Sequence, residues 1–265
     1  MNPDQLLRCS DEGLLWPAGA GAAFTDVPAA YQLALQVRAL RSARAERPAG
    51  YKVGFTNRSI WPRYNVFAPI WGTVWNTTTA HAPSGHGSVA LARICQPRIE
   101  PELVFAFKQT PPAGCSVQQL FASLDWLAPG FEVVQCHLPD WTFQAAQAVA
   151  DSSLHARLLV GPRVNVAGTA ANAAALHTLL ASTQAQLLRA GMLVDAGSGA
   201  QVLDSPLLAL LHFVTELRNC PGAPDIVPGD VVTTGTWTDA FTVQPGEQWT
   251  VEFSAALPSL AVTFV

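Results

Sequence analysis

Apolar and polar positions follow two rhythms along the chain. Between residues 28 and 45, Leu33, Val37 and Leu40 recur at helical spacing behind Asp26 and Pro28, which predicts an amphipathic helix entered near Asp26. A second helix is predicted after Ser205: Pro206 takes the first position, Leu207, Leu208, Leu211, Val214 and Leu217 line one face, and Asn219 and Pro221 stop it. Shorter apolar runs bounded by turn residues predict strands over 50–56, 99–107, 131–136, 156–160, 231–236, 248–253 and 260–265. The turns Val227-Pro228-Gly229-Asp230 and Pro245-Gly246-Glu247 separate the last of these, as a meander requires. Arg189-Ala190-Gly191 predicts a hairpin between 184–188 and 192–194, and residues 82–88 read as a loop.

Helical signals gather early and strand signals late, without regular β-α-β alternation. This disfavours a doubly wound sheet or a TIM barrel and predicts an α+β fold built on a β-sandwich or rolled sheet. A soft boundary near residue 80 divides a smaller, mostly helical N-terminal cap region, 1–80, from a β-rich domain, 81–265. Gly197-Ser198-Gly199 lacks the third glycine and the strand–helix context of a phosphate loop.

Composition narrows the function. Charged residues make up 13% of the 265 residues, about half the ~25% usual in soluble domains. So sparse a charge predicts that other subunits cover part of the surface, and a homo-oligomer is expected. Fifteen Lys and Arg against nineteen Asp and Glu give a formal net charge of −4 with no basic run, so no nucleic-acid partner is expected. Residues 1–17 carry no leader pattern and no apolar stretch approaches the roughly 20 residues of a membrane span, so a cytoplasmic protein without a membrane partner is expected. The five cysteines, Cys9, Cys95, Cys115, Cys136 and Cys220, are odd in number and show no C-x-x-C spacing, which argues against disulfides and structural zinc. Cys136 and His137 are neighbours, but adjacent strand residues face opposite ways, which disfavours a shared ligand role.

Against that background three glutamates stand out. Glu100 and Glu102 are two residues apart in an extended run and project to the same side, and Glu132 lies in the apolar run Gly130-Phe131-Glu132-Val133-Val134. Converging buried carboxylates need a cation, and an all-oxygen set suits a hard ion such as Mg²⁺ or Mn²⁺. The same pattern also suits a solvated strand face, with Glu132 paired to an arginine such as Arg98, and the spacing alone leaves both readings open.

Several segments together resemble one family, the bacterial 2-keto-4-pentenoate hydratases and 4-oxalocrotonate decarboxylases of the fumarylacetoacetate hydrolase superfamily. They are Gly50-Tyr51-Lys52-Val53-Gly54-Phe55-Thr56, Pro97-Arg98-Ile99-Glu100-Pro101-Glu102, Phe131-Glu132-Val133-Val134, Val149-Ala150-Asp151, and the final run from Pro228-Gly229-Asp230 to Phe264. The resemblance implies a rolled β-domain whose mouth holds Mg²⁺ or Mn²⁺ on Glu100, Glu102 and Glu132, with Lys52 as the leading acid/base candidate. It places Asp151 at the border of the active site, and His155 is the histidine assigned to the pocket. Phe55, Thr56, Ile70 and Trp71 are expected to line the place of a small 2-oxo acid substrate.

One departure bears on the reaction. Hydratases of this family read Pro-Asp-aromatic-Gly after the lysine loop, whereas this chain has Pro69-Ile70-Trp71-Gly72. Adding water across a conjugated double bond needs a group that manages protons on the attacking water, while loss of CO₂ needs mainly an electron sink and a dry site. Ile70 therefore tilts the expectation toward decarboxylation over hydration, although Asp151, Lys52 or His155 could handle the proton instead. Asparagine and serine after the Val-Ala-Asp run are also replaced, by Ser152 and Leu154. Acylpyruvate hydrolysis would need a Glu–His pair, and no histidine precedes His81. A metal-free binding or assembly homologue is the rival from outside enzymes.

Overall fold

The computed structural model describes all 265 residues. Its strands are β1 (Pro48–Gly54), β2 (Ile70–Trp75), β3 (Thr79–His81), β4 (His86–Val89), β5 (Arg98–Phe107), β6 (Leu124–Val134) and β7 (His155–Val160). Then come β8 (Val164–Asn165), β9 (Gln184–Arg189), β10 (Met192–Ser198), β11 (Val231–Thr233), β12 (Phe241–Thr242), β13 (Gln248–Phe253) and β14 (Leu260–Phe264). The helices are α1 (Pro3–Glu12), α2 (Val27–Ala43), α3 (Trp61–Tyr64), α4 (Val117–Ser123), α5 (Ala145–Ala150), α6 (Val166–Thr169), α7 (Ala173–Ser182) and α8 (Pro206–Asn219).

Two sheets form. The larger runs β2-β1-β11-β5-β6-β7-β3, with β12 paired to β5 and β8 to β6, and the smaller runs β10-β9-β13-β14-β4. Most ladders are antiparallel; β1–β11, β3–β7 and β4–β14 are parallel. The sheets approach closely where Gly87 of β4 meets Leu159 of β7, since an added Cβ would lie 2.8 Å from the leucine Cδ1. Buried residues of both sheets and of α2, α7 and α8 share one core. No helix is long and apolar enough to cross a membrane.

The two helices expected from periodicity form where their caps place them. The Asp26 carboxylate accepts from the Ala29 amide at 2.8 Å and starts α2, and the Ser205 hydroxyl accepts from the Leu208 amide at 3.3 Å and starts α8. In α8 the buried face is carried by Leu207, Leu210, Phe213, Val214 and Leu217, while Leu208 and Leu211 are only half-buried. The 184–198 hairpin also forms, with Ala190 and Gly191 at positive φ in its turn.

Other expectations need correcting. Helical material is not concentrated early, because α4 to α8 lie between residues 117 and 219. Nor is the region before residue 80 only a helical cap: β1, β2 and most of β3 lie within it and join the large sheet. The presumed loop 82–88 ends in β4, which pairs in parallel with β14. Sequence signals for β2 were weak because its centre is Gly72, whose small size is required by neighbouring backbone: an added Cβ would sit 2.6 Å from the Ser152 carbonyl oxygen.

Candidate metal centre and active site

The β5–β6 ladder assembles the three carboxylates. Glu100 on β5 is directly opposite Glu132 on β6, so their side chains share a face, and alternation along β5 adds Glu102 to it. Carboxylate oxygens of the three lie within 4.8 Å of one another. Glu102 and Glu132 are fully buried and Glu100 is half-buried.

Few protein groups offset that charge. Lys52, delivered by β1, brings Nζ to 3.1 Å from Glu132 Oε2. His155, at the start of β7, places Nδ1 2.8 Å from Glu132 Oε1 and Nε2 2.8 Å from the Thr78 hydroxyl. Gly235 donates its amide to Glu102 Oε2 at 2.7 Å. Burial lowers the His155 pKa, outweighing the pull of Glu132, so the ring is neutral. A carboxylate can only accept, which puts the ring proton on Nδ1 and leaves Nε2 to accept from Thr78.

Burial pushes the Glu100 carboxyl up to about 7 and Glu102 well above the ordinary range, with Glu132 reinforcing both. At Glu132 burial also acts upward, but Lys52 and His155 outweigh it and the net shift is down. Burial alone would lower the Lys52 pKa, yet Glu132, Glu100 and Glu102 together raise it, so the ammonium stays charged. Glu102 Oε1 and Glu132 Oε2 have no hydrogen bond, and the Lys52 approach to the latter is an ion pair by distance only. Buried, unpartnered oxygens of one sign are costly. This donor set fits a hard divalent ion held by Glu100, Glu102 and Glu132.

Through Glu100 the trio meets a cavity of about 590 Å³, whose walls also include Lys52, Phe55, Thr56, Ile70 and Leu154, with Glu102 and Glu132 buried behind that wall. Phe55, Thr56 and Ile70, expected beside a substrate, all line this cavity. Thr56 is fixed against Gly235, whose φ is +99° and whose added Cβ would fall 1.8 Å from the Thr56 hydroxyl oxygen. Ile70 stands beside Gly54, as does the Lys52 ammonium: an added Cβ on that glycine would lie 3.4 Å from Ile70 Cγ1 and 3.8 Å from Lys52 Nζ. An aromatic wall closes one side, with Tyr64 stacked on Phe55 at 4.7 Å and on Phe143 at 5.3 Å. Arg98 and Arg63 also line the cavity without any carboxylate partner, Arg98 lying 4.3 Å over the Trp141 ring.

Four expectations are revised. Asp151 accepts from the His137 amide at 2.9 Å and meets His137 Nδ1 at 2.5 Å, and it does not border the cavity. Trp71 points away from its neighbour Ile70, as strand alternation demands, and stacks on Tyr31 at 4.6 Å outside the cavity. His155 stands behind Glu132 as a positioning residue rather than in the cavity wall. Glu132 is paired to Lys52 and His155, not to Arg98. Sequence reasoning missed Gly235 and Phe143, which lie in loops, and Tyr64, which ends the single-turn helix α3; no periodicity encodes any of the three.

No family model matches the chain. A 4-oxalocrotonate decarboxylase of Pseudomonas sp. (strain CF600) is 28% identical over 237 residues, covering 89% of this chain and 84% of that one. A 2-hydroxyhexa-2,4-dienoate hydratase of Comamonas testosteroni is 27% identical over 223 residues, covering 83% and 80%. Among solved structures, 4-oxalocrotonate decarboxylase from Pseudomonas putida G7, complexed with magnesium and adipate, superposes with a TM-score of 0.87 at 22% identity, covering 99% of this chain and 95% of that one. The architecture is therefore that of the fumarylacetoacetate hydrolase superfamily. The chain's similar sequences are named as decarboxylases and hydratases, which are lyases.

Proposed function

We propose that this protein is a Mg²⁺- or Mn²⁺-dependent lyase acting on a small 2-oxo or 2-hydroxydienoic acid from ring-cleavage catabolism, and that it favours decarboxylation of a 4-oxalocrotonate-type diacid. The observation that carries the reading is the buried carboxylate trio, with Glu102 Oε1 left without any partner and Lys52 as its one ammonium, set at one end of a cavity. Chemistry supplied by a bound ion would be Lewis-acid polarisation of a chelating 2-oxo acid.

The protein's own groups set the rest. Lys52 holds a proton at Nζ beside Glu132, where it can be delivered to a carbon that has lost CO₂. Ile70 and Leu154 keep that wall apolar, which excludes the attacking water that hydration needs. Arg98 and Arg63 are free cations in the same cavity, suited to the second carboxylate of a diacid. His155 orients Glu132.

Purified protein with Mg²⁺ and a 2-hydroxymuconate-type diacid is expected to release CO₂ faster than it forms a 4-hydroxy-2-oxo acid. Formation of the hydrated product alone would overturn the decarboxylase reading, which finds further support in the decarboxylases among the similar proteins. Glu102→Gln is expected to abolish both metal binding and turnover; retention of function would favour a metal-free scaffold. We also propose a homo-oligomer, from the sparse charge; sedimentation showing only monomer at micromolar concentration would refute it.

A further inference from the structure

A second cavity, of about 320 Å³, lies behind the carboxylate trio and is distinct from the one that Lys52 and Ile70 line. Four arginines border it, Arg41, Arg44, Arg93 and Arg157, against two acids, Asp11 and Glu46. Both acids are already engaged. Arg44 grips Asp11 through two hydrogen bonds, of 2.5 and 2.8 Å, and Glu46 takes Arg41 at 2.6 Å, Arg44, and the Thr77 hydroxyl at 2.5 Å.

Two positive charges are left over. The Arg157 guanidinium is half-buried and donates only to the carbonyl of Ala156, at 2.8 Å. Arg93 has no acidic partner, and its backbone is pinned against Gly13, where an added Cβ would lie 2.7 Å from the Arg93 carbonyl carbon. Two uncompensated guanidiniums, one half-buried and one exposed, facing the same concave, polar site are unusual in a chain with so few charges and a net charge of −4. Planar guanidinium forks match the geometry of carboxylate and phosphate.

From this the geometry points to a second ligand site: the Arg93–Arg157 cavity binds a small oxyanion of two or more charges, a phosphate or a dicarboxylate. Neutral donors suited to such an anion line the same walls, Ser10, Thr77 and Gln135 among them. His155 also lines it, and its Nδ1 holds Glu132, so one imidazole links this cavity to the carboxylate trio.

Isothermal titration calorimetry on the full-length, metal-depleted protein tests this, with inorganic phosphate and malonate as probes and sodium chloride keeping ionic strength constant. At least one probe is expected to bind at one site per chain, and Arg157→Gln is expected to weaken it at least tenfold. Arg93→Gln should weaken it likewise, and that exposed side chain can be exchanged without touching the core, so it decides the matter if Arg157→Gln fails to fold. Tighter binding of phosphate marks a phosphorylated ligand, and tighter binding of malonate a dicarboxylate. Heats no different from added chloride, or affinity unchanged in the folded variants, would overturn the site. So would loss of binding in Arg63→Gln, because Arg63 lines the other cavity.

Discussion

Gly235→Ala is the most informative single perturbation, because three independent features of the site meet at that residue. Its φ of +99° is a conformation that L side chains rarely adopt, so alanine there carries strain of about 1–3 kcal/mol. Its new methyl would lie 1.8 Å from Thr56 Oγ1 and 2.9 Å from Thr56 Cβ. Thr56 cannot retreat freely, since it is buried and its carbonyl accepts from the Leu203 amide at 2.9 Å. Overpacking of this kind costs a further 1–3 kcal/mol or so. The expected destabilisation is therefore about 2–6 kcal/mol, read as a melting-temperature drop of roughly 4–24 °C for a chain of this size. Displacing the Gly235 amide from Glu102 is also expected to weaken Mg²⁺ binding about 10–100-fold, the usual effect of losing a group that orients a ligand. Scanning calorimetry and Mg²⁺ titration read the two effects separately. Adding Thr56→Ala removes Oγ1 and Cγ2 but keeps Cβ, so it should recover part of the overpacking share and none of the backbone strain. A Gly235→Ala protein that melts within about 1 °C of the parent and binds Mg²⁺ equally well would refute the reasoning.

Three further outcomes are expected. Mg²⁺ at one hundred times its dissociation constant should stabilise the parent by about 2.7 kcal/mol, and Glu102→Gln should lose that gain in thermal melts. Lys52→Met should abolish turnover and, without metal, destabilise the fold by about 3–5 kcal/mol, because it strips the buried carboxylates of their one ammonium; unchanged stability in urea titrations would mean that the trio carries no charge. At Glu46 burial raises the pKa, but Arg41, Thr77 and Arg44 outweigh it and hold the carboxyl down, at about 2 against an ordinary 4.5. A depressed folded pKa adds stability that is complete above the unfolded value and fades as pH falls from about 4.5 toward 2. Glu46→Gln should accordingly flatten the acid side of the stability profile, and a profile parallel to the parent's would count against the network.

The parts of this protein legible in its sequence are those that one element determines by itself. The α2 and α8 caps need only Asp26 and Ser205, and the pairing of Glu100 with Glu102 needs only the period of a strand. Glu132 joined them correctly because an acid inside Gly130-Phe131-Glu132-Val133-Val134 has few places to go except toward a cation. What failed depended on distant pieces of chain. Asp151 is placed beside the active site by resemblance alone, yet its partner His137 is fourteen residues back. Trp71 was grouped with Ile70, although a strand sends adjacent side chains to opposite faces, and β2 itself went unread because Gly72 and Ile70 answer to tertiary contacts. Gly197 and Gly199, dismissed as a phosphate loop, have a structural cause instead. Cβ atoms there would lie 1.6 Å from the Trp237 carbonyl oxygen and 2.0 Å from that of Leu180.

That clearance at Gly197 helps explain why the site lies where it does. On one side β5 is paired along its whole length with β6, but on the other it meets β11 only at residues 104–106 and β12 only at 98–99. Between these two short ladders the backbone of β5 turns Pro101 and Leu103 outward, and only their carbonyls are used, accepting from Trp237 at 3.0 Å and Thr234 at 3.2 Å. Proline has no amide hydrogen to offer, so a continuous ladder from β11 to β12 would lack a donor at residue 101. The chain over residues 234–240 is released from the sheet and runs beside the edge of β5 as a loop, through the space that Gly197 leaves open. That loop turns the Gly235 amide onto Glu102 and gives Thr236, Trp237 and Thr238 to the cavity wall. The residue between the two glutamates thus splits the sheet at the point where their carboxylates need both a donor and an opening.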